Sequence, residues 1–141
     1  MWYKILLTAV LAASLGLAQA MERTPAPEDA KVYFIGLEDG DTVESPVRIH
    51  FGLKGIGVAP AGVEHDDTGH HHLLINKEDG EVDMDRPLPM TDDIRHFGGG
   101  QTETEVELAP GEHSLQLLLG DHLHIPHDPP VKSERITITV E

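Results

Sequence analysis

Apolar residues recur at every second position along most of this chain, and only in short runs. "VRIHFGL" sets Val47, Ile49 and Phe51 on one face, and "RITITV" alternates Ile136, Ile138 and Val140 with Thr137 and Thr139. "HSLQLLL" places Leu115, Leu117 and Leu119 inward with His113, while "TETEVEL" divides Val106 and Leu108 from Glu103, Glu105 and Glu107. "KVYFIGL" and "HHLLIN" are further candidates. A period of two is that of a half-buried strand. Gly, Pro and Asp break the runs, and no long stretch holds a helical period. Six or seven short strands separated by turn signals specify an all-β chain, an antiparallel β-sandwich of one domain. The best helical candidate is a turn or two around "PMTDDIRHF", with Thr91 as cap. Gln116 interrupts a leucine run, so partial burial with a partner for its amide is expected.

The first twenty residues stand apart. "MWYKILLTAVLAASLGLAQA" has one early Lys, an apolar stretch from Ile5 to Leu17 and an Ala-Gln-Ala end. Those are the parts of a cleaved secretory signal peptide, and the stretch is short for a membrane span. The expected organisation is a signal peptide over 1–20, a flexible Pro-rich leader over 21–30 and the sandwich over 31–141. The expected location is periplasmic or secreted, as a soluble protein.

Charge narrows the partners. The chain carries a formal charge of −15 with histidine neutral. Such a surface repels nucleic acid and attracts cations. There is no cysteine, so disulfides, thiolate ligands and a Cys nucleophile are excluded. A metal would have to use His, carboxylate, Met or backbone oxygen.

Histidine is the chemistry this chain has in excess, with ten in 141 residues. "GHHH" holds His70, His71 and His72; "RHFGGGQ" holds His96; "GDHLHIPHDPP" holds His122, His124 and His127. On a strand, His-x-His puts both rings on one face, about 6.5–7 Å apart. His70/His72 and His122/His124 have that spacing. Within "HHHLLI", Leu73 and Ile75 are expected to face one way with His71 at the mouth, and His70 and His72 the other way with Leu74. His70, His72, His96, His122, His124 and His127 are therefore the candidate metal ligands, for Cu(II) first and Zn(II) second, because neutral imidazole suits both. None of these spacings is a strict metal motif. His113 fits a different role, capping a sandwich corner by bonding backbone, and His50 and His65 are expected at the surface. The three glycines after Phe97 fit a sharp turn.

"GVAPAGVEHDDTGHHHLLIN", "HFGGGQTETEVEL" and "PGEHSLQLLLGDHLHIPHDPPVKSERITITV" together resemble the bacterial envelope family called domain of unknown function 4399. The resemblance runs from about Val32 to Val140. It implies a small exported domain with an immunoglobulin-like β-sandwich and no established reaction. It also implies that His70, His71, His72, His96, His113, His124 and His127 are the family's characteristic histidines. Three functions compete. The first is a periplasmic metal-binding protein. The second is a non-metal envelope module for a peptide, glycan or protein partner, which would scatter its histidines and expose aromatics. An enzyme ranks last, since there is no Gly-x-Ser-x-Gly and no clearly spaced carboxylate pair.

Overall fold

The computed structural model describes residues 21–141; the expected signal peptide lies outside the described residues. Among the described residues, nine strands form two sheets. They are β1 (Lys31–Ile35), β2 (Thr42–Val43), β3 (Val47–Lys54), β4 (Gly57–Val58), β5 (Thr68–Ile75), β6 (Ile94–His96), β7 (Glu103–Val106), β8 (Gly111–Gly120) and β9 (Ile136–Val140). The smaller sheet has the order β1-β3-β7, antiparallel throughout. The larger has the order β2-β9-β8-β5-β4, and β6 pairs with β5 beyond the end of β4. Two short edge strands depart from the antiparallel expectation: β2 runs parallel to β9, and β4 parallel to β5.

The alternating residues build the core as their period requires. Val32, Val47, Ile49, Phe51 and Val106 from the small sheet meet Leu73, Ile75, Leu115, Leu117, Leu119, Ile136, Ile138 and Val140 from the large one. A fully buried Leu or Ile contributes about 1.5–3 kcal/mol relative to its exposed state, and with no disulfide this layer carries the fold.

Strand β5 differs from the others because both of its faces are covered. Its inner face carries His71, Leu73 and Ile75, as the alternation predicts. His71 is not at an open mouth, however; it is fully buried and packs on Phe51 with ring centroids 4.8 Å apart. The outer face carries His70, His72 and Leu74. The irregular segment 76–93 lies over that face, and its Leu88, Val82 and Met84 pack with Leu74, Ile94 and Leu118. This second layer explains why residues 69–75 are buried without alternation.

"PMTDDIRHF" forms no helix, and no helix is present among the described residues. Thr91 does cap, but it caps a turn: its Oγ1 accepts from the amides of Asp93 (3.3 Å) and Ile94 (3.0 Å). The chain then pairs at once with β5, so β5's open edge wins over a weak helical start. The 21–30 segment lies against the domain. Ala26 N–H donates to Asp128 O (3.1 Å), Asp128 N–H to Thr24 O (2.9 Å), and Arg23 Nε to Pro126 O (3.2 Å).

His113 takes the capping role. Its Nε2 donates to Ala109 O (2.8 Å) and its Nδ1 accepts from Asn76 Nδ2 (3.0 Å). His50 meets Glu103 at 3.1 Å, and His65 is exposed. Gln116 is half-buried, and its Nε2 donates to Ser133 O (2.9 Å), while Ser133 Oγ accepts from Leu117 N–H (2.9 Å). Gln116→Leu removes the donor from that carbonyl. The expected cost is about 1 kcal/mol, or about 3–5 °C of melting temperature for a chain of this size. A variant that melts at or above the parent temperature would show that the amide ties nothing together.

Candidate metal centre

Four imidazoles converge on the outer face of the large sheet. His70, His72, His96 and His124 each offer a ring nitrogen, and these atoms all lie within 4.8 Å of one another. His70 Nε2 is 3.0 Å from His124 Nδ1 and 3.2 Å from His96 Nε2. Four nitrogens bonded to one ion at about 2.0–2.1 Å stand about 3.3 Å apart in a tetrahedron, and neighbours in a square plane about 2.9 Å apart. These two contacts fall in that range and the whole set lies within 4.8 Å, so the group could hold one metal ion once its wider pairs draw in.

Three of the four rings are fixed by sheet pairing. His70 and His72 project from the same face of β5, and His96 stands directly opposite His72 in the β5–β6 register. His124 arrives from the loop after β8, with a positive φ of 66°. Left-handed backbone is uncommon for a residue with a Cβ. It turns the ring toward β5, where the His70 and His124 centroids are 4.9 Å apart.

Glycines make room for these rings. A Cβ on Gly120 would lie 2.7 Å from His72 Cε1, and one on Gly98 would lie 2.3 Å from His96 Cε1. "HFGGG" and "LLLGDH" thus each set a glycine against a cluster ring, while Gly69 of "GHHH" lies against His127.

Burial sets the chemistry. His70 and His72 are fully buried, and His96 and His124 are partly exposed. Desolvation, followed by the neighbouring rings His124 and His96, pushes His70 down to about 4. Desolvation, then His70, His96 and His124, takes His72 to about 3. His96 is lowered too, by burial and by His124. These three rings are neutral near pH 7 and present lone pairs. Both nitrogens of His72, and Nδ1 of His70, are buried without a hydrogen-bond partner. Orphaned buried nitrogens are costly, and a cation would satisfy those that face the cluster.

Two of the six histidines read as ligands lie outside this group. His127 is fully buried, but its Nε2 donates to Thr68 O (3.1 Å). His122 Nε2 lies 3.8 Å from Glu64 in an acidic cavity of about 300 Å³. The spacing argument failed here because residues 121–124 form a turn, where i and i+2 do not share a face. Asp121, a carboxylate whose place beside His122 suits it to complete a ligand shell, is instead a structural residue of the site. Its Oδ1 accepts from the amides of Leu123 (2.9 Å) and Ile125 (3.0 Å), and so shapes the loop that carries His124. The signal available in the sequence was an Asp following Gly at a strand end, where Asx turns form.

The sequence model of one family, described as Domain of unknown function (DUF4399), matches residues 49–141. The chain belongs to this family. All four cluster histidines lie within the matched DUF4399 region, whereas β1 and β2 precede it. Comparison with curated proteins and with solved structures gives no match.

Proposed function

We propose that this DUF4399 protein is an exported binding protein for one divalent transition metal, copper first and zinc second. The observation that carries the reading is the convergence of four ring nitrogens from two paired strands and one loop. The donor set is all imidazole, with Cys absent from the chain. Imidazole sites suit copper and zinc, and Cu(II) binds nitrogen donors more tightly than Zn(II) does. Export is supported by the sequence of residues 1–20 alone, and location in the periplasm follows from the same segment. The alternative envelope module has less support. Phe51 and Phe97 are buried in the core, and Tyr33 lies on the small sheet, on the far side of the sandwich from the histidines.

Titration calorimetry with Cu(II) and with Zn(II), on protein purified without a histidine tag at neutral pH, tests the reading. One ion per chain is expected, with copper the tighter. The bound ion should also raise the melting temperature, by about 2.7 kcal/mol of stability at a hundredfold excess over Kd. Absence of stoichiometric binding by either metal would return the envelope-module reading to the front.

A further inference from the structure

We propose that Asp121, held by Thr24 of the N-terminal segment, is the positioning residue of the metal centre: it sets the loop that delivers His124. The inference rests on the metal-binding reading above. It starts from a carboxylate that is 3 % exposed and whose two oxygens are both used. Oδ1 accepts the amides of Leu123 and Ile125, and Oδ2 accepts from Thr24 Oγ1 at 2.7 Å. The Asp121 backbone brackets the same turn. Its carbonyl accepts from His124 N–H (2.9 Å), and its N–H donates to Ile125 O (2.9 Å). His124 is thus enclosed in a loop whose amides point at one carboxylate, and this is what holds the residue at positive φ. Such strain persists only where the surroundings over-determine it.

The N-terminal segment closes the arrangement. Pro25 bridges to Asp128, and Arg23 donates to the carbonyls of Pro126 and His127. These contacts and the Thr24 hydroxyl hold both ends of the loop from a point about a hundred residues away in sequence. The charge matters as well as the shape. The ring cluster supplies four donors and no anion. A divalent ion there gains from a buried carboxylate nearby, since buried charge is costly unless compensated. Asp121 is close enough to act on His70, where its charge opposes the effect of the neighbouring rings. Partners behind the ligands commonly alter metal affinity by about 10–100-fold.

The test compares Thr24→Val, Thr24→Ser and Asp121→Asn with the parent, by Cu(II) and Zn(II) calorimetry and by amide hydrogen exchange without metal. Thr24→Val is expected to weaken binding about tenfold and to speed exchange at Leu123 and Ile125. Thr24→Ser, which keeps the hydroxyl, should restore both. Asp121→Asn keeps an acceptor for the amides but loses the charge, so its affinity should fall by about 10–100-fold with less change in exchange. A parent that binds metal while Thr24→Val and Asp121→Asn bind equally well would overturn this inference alone. A parent that binds neither metal would overturn the metal reading and this inference with it. A Thr24→Ser variant as weak as Thr24→Val would also overturn it, because the hydroxyl would then not be what acts.

Discussion

Replacing His70 and His72 together by alanine is expected to weaken Cu(II) or Zn(II) binding by at least about 100-fold, beyond the usual effect of losing a partner behind a ligand. Both rings come from one face of β5, and both are fully buried, so water cannot reach in to replace them without reorganising the outer layer. Their neighbours on β5, His71, Leu73 and Ile75, point into the other layer and should keep the strand in place. The matched pair His124→Ala and His122→Ala sharpens the test. Position 124 faces the cluster and should lose affinity; position 122 faces Glu64 and should not. Binding that survives the double substitution at His70 and His72 would place the ion elsewhere in the molecule.

The second large effect is on stability in acid. In the unfolded chain these rings take up a proton below about pH 6.5. In the fold, burial lowers His70 and His71 to about 4 and His72 to about 3. Between those limits the unfolded state binds more protons. Stability is therefore fully present above about pH 6.5 and is lost as pH falls through the folded values. For His71 alone the loss is on the order of 3 kcal/mol. His71 is the place to check this, because both its nitrogens lack partners and it packs on Phe51 in the core, apart from the cluster. His71→Leu should hold its stability at pH 7 or gain some, since an unsatisfied polar ring is exchanged for an apolar side chain. It should also lose about 2–3 kcal/mol less than the parent between pH 7 and pH 4. Urea denaturation of chelator-treated protein measures both. An acid dependence identical to the parent's would show that His71 takes up its proton as readily in the fold as in the unfolded chain, and that burial does not hold it neutral.

The longer strands were legible because alternation over several residues is a strong signal. β3 and β9 follow it in burial, and β5 follows it only in the direction of its side chains, which divides His71 from His70 and His72. The strands of two or three residues, β2, β4 and β6, were not legible, since no period can be read over so short a span. β6 was read instead as part of a helical turn. Within the site, spacing found His70 and His72 because they lie on a strand, and the glycine turn drew attention to His96. Spacing does not bring His122 into the cluster with His124, because the backbone there leaves the sheet and the direction of a ring then depends on a buried carboxylate that no periodicity reveals. His127 lies outside the cluster, with Nε2 on a backbone carbonyl and Nδ1 buried without a partner, a placement that the sequence does not reveal.

The bond between Thr24 and Asp121 spans 97 residues. A ribosome makes Thr24 well before Asp121, and His124 follows Asp121. The cluster therefore cannot assemble until its last ligand and the carboxylate that aims it have emerged. Whichever compartment holds the finished chain when it folds decides which cations the site first encounters. For the proposed metal site, whose imidazole donors suit both copper and zinc, the place of folding would then bear on its content as much as the ligands themselves.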